Sequence, residues 1–192
     1  MSVFPQRIHL FGAPGSGVST LGRTLAARLG YPFFDTDDYY WFTGDELPYK
    51  RKRNPDHRRQ LLGHDLDRAG EQWVLSGSMC GWGDVFIPRF DLAVCCWLPA
   101  ALRLERIRKR ETARYGPERL AEGGDLHLVF EKFLRWAADY DLPGDSWRSR
   151  DKELEWLNGL PCPVLRLEED RDLEWQVERI LGIGNRGSST HD

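Results

Sequence analysis

The chain lacks the features that mark zinc-binding, secreted and membrane-spanning proteins. It has four cysteines, and no two of them form a C-x-x-C pair, so the usual half-site of a zinc centre is missing. Cys95 and Cys96 lie side by side in an apolar run, which favours buried thiols in a reducing compartment. There is no signal-peptide pattern and no apolar run near the ~18 residues of a membrane span. We therefore expect a cytoplasmic protein with no membrane contact.

A strong charge of either sign is also missing. The net charge is −3 at pH 7, which gives no extended positive field for a nucleic acid. Basic residues are bunched locally instead, at 50–53 and between Arg103 and Arg114, which suits a small anionic ligand. The hydrophobic fraction of 41%, with eight Trp and nine Phe, is ample for a core. A length of 192 residues predicts one domain with a small lid or flap.

Short apolar strands alternate with amphipathic helices along the chain. Strands are predicted at 7–11, 31–34, 72–75, 91–98 and 163–167, and helices at 19–29, 55–69, 99–112, 126–140, 146–157 and 170–181. Glycines and proline predict a loop over 113–124. This alternation predicts an α/β fold, with a five-stranded parallel sheet covered by helices on both faces. Ligands of such folds bind beyond the carboxyl ends of the strands. We expect one domain over 1–183 and a flexible tail over 184–192.

The first strand runs into a glycine-rich segment that matches the phosphate-loop motif G-x-x-x-x-G-K-[ST] at every position but the lysine. Glycines let main-chain N–H groups turn towards an anion, and the following helix adds its partial positive charge. The hydroxyl at position 19 is the expected Mg²⁺ ligand, with position 20 as a substitute. The nine residues expected to hold the nucleotide are Gly12, Ala13, Pro14, Gly15, Ser16, Gly17, Val18, Ser19 and Thr20. The alternative is a glycine-rich turn that binds nothing.

Val18 stands where the motif has its lysine. That lysine normally neutralises the outer phosphates, and losing one such charge-assisted donor raises a barrier by roughly 3 to 4 kcal/mol. Either another cation replaces it or the site binds without turnover. Arg106 and Arg110 lie on one face of the predicted helix 99–112 and are the first candidates, with Arg23 a weaker one. The alternative for this arginine face is a solvated surface paired with glutamates.

An acidic turn, Asp35-Thr36-Asp37-Asp38, follows the second strand. Carboxylates at that edge of the sheet can hold Mg²⁺ or act as a base towards an acceptor hydroxyl. If the strand continues, Asp35 and Asp37 face opposite ways, with one on the metal side and the other on the acceptor side. The alternative is a set of N-caps for a following helix.

The phosphate loop and the acidic turn together resemble those of the small P-loop kinases, namely shikimate, gluconate and adenylate kinases. The resemblance runs from residue 7 to about 115 and implies a three-layer P-loop NTPase fold that uses ATP and Mg²⁺. It implies that Ser19 and Asp35 hold the metal and that Asp37 contacts the acceptor hydroxyl. Neither the Asp-Gly of adenylate kinases nor the glycine triplet of shikimate kinases follows the third strand, so the acceptor is left open.

The same resemblance implies a closing flap at about 38–70 and a lid at about 112–125. Four residues are then candidates for contacting the acceptor. They are Arg53 in the flap, Gly77 and Ser78 in the turn after the third strand, and Arg114 in the lid. For the basic cluster at 50–53, a solvated loop is an equal alternative.

Two function classes follow from these patterns. The first is a kinase that transfers a phosphoryl group from Mg-ATP to a small-molecule acceptor, with Asp37, Arg106 and Arg110 as catalytic residues. The second is a catalytically weak or inactive nucleotide-binding module that acts as a sensor or partner. We expect no nucleic-acid partner, and both a monomer and a homodimer stay open.

Overall fold

A computed structural model of the protein describes residues 4–42, 51–143 and 148–185. Five strands in these ranges form one parallel sheet in the order β2-β3-β1-β4-β5. They are β1 (Arg7–Gly12), β2 (Phe33–Asp35), β3 (Trp73–Ser76), β4 (Leu92–Cys96) and β5 (Val164–Leu167). The predicted five-stranded parallel sheet is therefore confirmed. Because β1 is central, its carboxyl end opens between β3 and β4.

Helices cover both faces of the sheet. They are α1 (Val18–Leu29), α2 (Thr36–Tyr40), α3 (Pro55–Ala69), α4 (Ala100–Tyr115), α5 (Pro117–Leu120), α6 (His127–Asp139), α7 (Arg150–Asn158) and α8 (Leu173–Asn185), with a 3-10 helix at Asp84–Arg89. Every helix in the described ranges is too short or too polar to cross a bilayer.

Side chains of β1 alternate between two apolar layers, as the period of a strand requires. Ile8 and Leu10 pack in a cluster with residues of α1 and α8. Phe11 faces the other side and packs against Leu157 of α7. The sheet is thus the middle of three layers, and its strands are buried on both faces, as expected for a parallel sheet.

His9 is fully buried on this second face. Its ring stacks on Phe11 and Phe90 with centroids 5.5 and 4.8 Å apart, and Nδ1 lies 3.2 Å from the carbonyl oxygen of Leu75. Burial lowers the pKa of His9 to about 3, so the ring is neutral at physiological pH. His9 therefore serves as a core packing residue.

The predicted loop over 113–124 is wrong for residues 113–115 and 117–120, which are helical. Helix α4 continues to Tyr115, and Gly116 ends it with φ 83°. Pro117 then starts α5, because its fixed φ and missing N–H suit the first position of a helix. At the other end of the chain, α8 runs past the predicted boundary at 181 to Asn185, and 186–192 lie outside the described residues.

Candidate active site

The loop between β1 and α1 follows a path that only glycine can take at two of its positions. Gly12 and Gly15 have φ of 148° and 86°. A Cβ on Gly12 would lie 1.9 Å from the carbonyl oxygen of Cys96, and one on Gly15 would lie 2.6 Å from that of Arg103. The loop is therefore packed directly onto the end of β4 and the first turn of α4.

Several main-chain N–H groups of this loop have no acceptor. The amides of Ala13 and Ser16 bond to main-chain carbonyls, each at 3.1 Å. Five other amides have no partner in the part of the chain that the structure describes, namely those of Gly15, Gly17, Val18, Ser19 and Thr20. The Ser16 hydroxyl is also buried without a partner there. Unpaired donors at the positive end of a helix form a cradle that fits a phosphate group.

The side chain at position 18 adds no charge to this cradle. Val18 packs against the buried cluster that contains Leu21 and Leu25. The loop therefore offers main-chain donors and hydroxyls only, and any cation for the outer phosphates has to come from another part of the fold.

The acidic turn starts a helix instead of extending the strand. Asp35 caps α2, since its Oδ1 accepts a hydrogen bond from the amide of Asp37 at 3.1 Å. The expectation that β2 continues and turns Asp35 and Asp37 to opposite faces is wrong, because this cap begins α2 at Thr36. Both carboxylates instead lie at one helix start, and Oδ2 of Asp35 is 3.9 Å from Nη2 of Arg23.

The pKa of Asp37 is well above the usual value of an aspartate. Surrounding protein atoms desolvate its carboxyl group, and the negative charge of Asp35 adds to this, so the pKa of Asp37 rises to about 6 although the residue keeps solvent access. The positive charge of Arg148 acts in the opposite direction. A carboxylate that titrates near neutral pH suits proton transfer from a hydroxyl group.

The turn after β3 is packed against the acidic turn. Gly77 has φ 106°, and a Cβ there would lie 1.9 Å from Oγ1 of Thr36. The carbonyl oxygen of Ser78 accepts a hydrogen bond from Nε1 of Trp82 at 3.3 Å, which holds the turn. The structure thus brings Gly77, predicted to contact the acceptor, next to the helix that carries Asp37.

Arg58 is a buried cation that the sequence patterns did not single out. It is 6% exposed, and its guanidinium carbon lies 3.5 Å from the ring centroid of Tyr40 and 5.8 Å from that of Trp82. Its Nε has no hydrogen-bond partner, and no carboxylate of the described residues pairs with it. A buried cation without a counter-ion is costly, which makes Arg58 a candidate for binding an anion. In the sequence it is one charged residue of many in the helix 55–69.

The α4 arginines occupy two different environments. Arg103 is fully buried, and it donates to the carbonyl oxygens of Leu98 at 2.7 Å and of Pro14 at 3.2 Å, so it braces the phosphate loop from below. Arg106 is on the surface next to the loop, with Nη1 4.0 Å from the position of a Cβ on Gly17. It pairs with Asp170 at 2.7 Å.

The other two predicted arginines of this helix lie farther along it. Arg110 pairs with Glu111 at 2.6 Å, and Arg114 lies over the ring of Tyr115 at 5.8 Å. Their predicted roles towards the phosphates and the acceptor stay predictions.

Arg53 is engaged with the end of α2. Its Nη1 donates to the carbonyl oxygens of Asp38 at 2.8 Å and of Tyr39 at 3.2 Å, and also to that of Trp41. These bonds fasten the flap to the acidic turn. The acceptor contact predicted for Arg53 stays a prediction, and Lys50 of the same basic cluster lies outside the described residues.

Arg148 is the second functional candidate that the sequence patterns missed. It precedes α7, and its Nη2 donates to the carbonyl oxygen of Gly12 at 2.5 Å. Its Nε pairs with Oε1 of Glu153 at 2.6 Å. Because 136 positions separate Arg148 from Gly12, no local pattern could have revealed the contact.

Oxygen donors at the site fit Mg²⁺. The hydroxyl of Ser19 opens α1, and the carboxylate of Asp35 ends β2 two strands away in the same sheet. Within the described ranges no three His, Cys, Asp or Glu side chains cluster as a metal site. Mg²⁺ typically takes one or two protein carboxylates and completes its shell with phosphate oxygens and water. The donor set therefore suits a metal that arrives with a nucleotide.

An open cavity of about 320 Å³ lies between the turn after β3 and α7. Its lining residues are Cys80, Gly81, Lys152, Glu155 and Trp156. Gly77 and Ser78, the predicted acceptor contacts of the same turn, are not among its lining residues.

No family model matches the sequence, but individual proteins are similar to it. The chain is 45% identical over 176 residues to uncharacterized protein YqaC of Bacillus subtilis, across 92% of this chain and 96% of YqaC. It is 31% identical over 134 residues to a shikimate kinase of Synechococcus, across 65% of this chain and 68% of that enzyme.

Two solved structures have the same fold as this chain. The fold matches that of shikimate kinase from Acinetobacter baumannii in complex with shikimate, with a TM-score of 0.57, 18% identity and 98% and 97% of the two chains covered. It also matches a gluconokinase from Sinorhizobium meliloti, with a TM-score of 0.53, 18% identity and 96% and 94% covered. At such low identity these two matches establish the fold. The similarity to the Synechococcus shikimate kinase, which spans two thirds of that enzyme, shows that the chain belongs to the family of small P-loop kinases.

Proposed function

We propose that this protein binds Mg-ATP and transfers the terminal phosphoryl group to a hydroxyl of a small anionic acceptor. The observation that supports this best is the placement of Asp37, whose pKa is about 6, at the same sheet edge as the unpaired amides of the phosphate loop. A passive nucleotide-binding module has no need of such a base beside its loop.

The phosphate groups bind to the amides of the loop and to the start of α1. Bound Mg²⁺ neutralises phosphate charge, and Ser19 and Asp35 hold it in our proposal. The acceptor oxygen forms a bond to the terminal phosphorus, the bond from that phosphorus to ADP breaks, and the acceptor proton passes to Asp37. Arg106 and Arg110 offset charge on the transferring group when the lid at 112–125 closes.

The acceptor class follows from a buried cation beside the last residue of α2, Tyr40. Arg58, buried on Tyr40 without a carboxylate partner among the described residues, suits a carboxylate or phosphate group of the acceptor. Relatives named for shikimate, cytidylate and gluconate are consistent with an anionic, hydroxylated molecule.

The second candidate function is a nucleotide-binding module without turnover. It is favoured by Val18, which packs in the core and leaves the loop without its usual ammonium group. The two candidates differ in whether ATP is consumed.

The deciding experiment measures ADP release from Mg-ATP with a panel of shikimate, gluconate and CMP, after calorimetry has shown ATP binding. The panel is run on the wild type, on Asp37→Asn and on Asp38→Asn as a matched control one residue away. Acceptor-dependent ADP release that falls at least a hundredfold in Asp37→Asn alone supports the kinase. ATP binding without acceptor-dependent release, unchanged in Asp37→Asn, favours the binding module. A folded wild type that does not bind ATP contradicts both.

A further inference from the structure

Arg148 is bonded to the first residue of the phosphate loop. Its Nη2 donates to the carbonyl oxygen of Gly12 at 2.5 Å, where β1 ends and the loop begins. The side chain is 15% exposed, so it is largely enclosed by protein. A positive charge therefore stands at the mouth of a loop whose own side chains carry none.

A buried network fixes the direction of this guanidinium. Glu153 is 2% exposed; its Oε1 pairs with Nε of Arg148 at 2.6 Å, and its Oε2 accepts a hydrogen bond from the hydroxyl of Tyr140 at 2.5 Å. Burial opposes the charged form of Arg148, but the negative charge of Glu153 and its hydrogen bond outweigh this and raise the pKa of Arg148. The arginine is thus charged and orientated before any ligand binds.

The other neighbour of Arg148 is the candidate base. The charge of Arg148 lowers the pKa of Asp37, and the charge of Asp37 raises that of Arg148, so the two side chains are close enough to act on each other. The guanidinium is therefore hydrogen-bonded to the phosphate loop and within electrostatic range of Asp37.

We propose, resting on the function proposed above, that Arg148 supplies the positive charge that Val18 does not. When ATP binds, Nη2 exchanges the carbonyl oxygen of Gly12 for an oxygen of the terminal phosphates. An arginine bonds a charged phosphate oxygen more strongly than a neutral carbonyl, which favours the exchange. Glu153 and Tyr140 are then positioning residues, since they hold Arg148 without contacting the nucleotide.

The geometry favours Arg148 over the surface arginines for this role. Arg106 and Arg110 are exposed on α4 and are paired with Asp170 and Glu111. Although Arg106 lies next to the loop, each of the two has to leave a carboxylate before it can bind a phosphate. Arg148 already touches the loop.

The test is a double-mutant cycle between the missing lysine and the arginine. Dissociation constants of Mg-ATP and Mg-ADP are measured by calorimetry for the wild type, Arg148→Ala, Val18→Lys and the double variant. Arg150→Ala is the matched control, because Arg150 lies two positions away and stacks on Trp97 at 4.0 Å. We expect Arg148→Ala to weaken ATP binding at least tenfold and ADP binding less, and Arg150→Ala to change both by less than twofold.

The rescue is the decisive arm of the cycle. Val18→Lys is expected to restore ATP binding of Arg148→Ala to within threefold of the wild type, and to improve the wild type by less than threefold. Arg148→Lys keeps the charge and replaces Arg148→Ala in the cycle if circular dichroism shows that the alanine variant is unfolded. In that case we expect a three- to tenfold loss of ATP affinity that Val18→Lys again reverses.

Two outcomes would overturn the proposal. One is a folded Arg148→Ala that binds ATP as well as the wild type does. The other is a loss of binding that Val18→Lys leaves unchanged. In both cases the wild type still binds ATP, so the proposed function survives. A folded wild type without ATP affinity would instead remove the proposed function itself.

Discussion

Gly77 and Thr36 are so close that a Cβ on Gly77 would lie 1.9 Å from Oγ1 of Thr36. This contact couples the turn after β3 to the helix start that carries Asp37. The positive φ of 106° at Gly77 adds a second reason for glycine at this position.

Gly77→Ala is therefore expected to damage both stability and the site. The clash and the strained φ together cost about 1–3 kcal/mol of the free energy of unfolding and displace Asp37. Gly81→Ala is the matched control, because Gly81 also has a positive φ, 77°, but its Cβ would meet no atom within 4 Å. Urea denaturation and ATP titration measure the two effects. Equal losses in the two variants would show that the contact with Thr36 contributes nothing.

Arg103→Met is expected to loosen the phosphate loop from below. The substitution leaves the carbonyl oxygens of Pro14 and Leu98 without their donor and removes the ion pair with the partly exposed Asp141, which costs about 1–3 kcal/mol. The melting temperature and the affinity for ATP should both fall. Arg108→Met, on the exposed side of the same helix, is the control and should change neither. A stable Arg103→Met with wild-type ATP affinity would contradict this bracing role.

The proton affinity of Asp37 should depend on Arg148. Desolvation by surrounding atoms and the charge of Asp35 raise the pKa of Asp37 to about 6, and Arg148 holds it below the value that it would otherwise have. Carboxyl ¹³C NMR is expected to show this titration near pH 6 in the wild type and at higher pH in Arg148→Ala. In a turnover assay the rate should rise with pH through the same value, since the base acts when deprotonated. If Asp37 titrates near pH 4 in both proteins, neither desolvation nor the charge of Asp35 raises its pKa.

His9 should make the free energy of unfolding depend on pH. Burial lowers its folded pKa to about 3, below the unfolded value of 6.5, so the unfolded state binds the extra proton between these limits. The stabilising contribution is therefore complete above pH 6.5 and is lost as pH falls towards 3, by at most about 1.4 kcal/mol per pH unit.

His9→Phe isolates this effect, because the ring is replaced by one that cannot titrate and can still stack on Phe90. The difference in unfolding free energy, wild type minus variant, is measured by urea denaturation from pH 4 to 8. It should rise up to pH 6.5 and be flat above it. A difference that is flat over the whole range would show that His9 has the same pKa in the folded and unfolded states, which contradicts its burial.

Local patterns were sufficient for the architecture and for the phosphate loop. The apolar runs predicted all five strands, and the spacing of glycines and hydroxyls predicted a strand, loop and helix at residues 7–29. The short helix α2 corresponds to the alternative interpretation of the acidic turn, in which an aspartate caps a following helix. Asp35 both ends β2 and caps α2, and the sequence does not reveal which of these roles a carboxylate plays.

The sequence alone determines the alternation of strands and helices and the presence of a phosphate cradle. Both depend on main-chain geometry between residues that are close in the sequence. Tertiary structure alone decides which cations stand near that cradle. Arg103 turns inward to brace the loop, and Arg148 meets Gly12 across 136 positions. The pKa of Asp37 is set in the same way, by atoms and charges that the fold brings together. Desolvation and Coulomb interactions act through space, and sequence spacing carries no record of them.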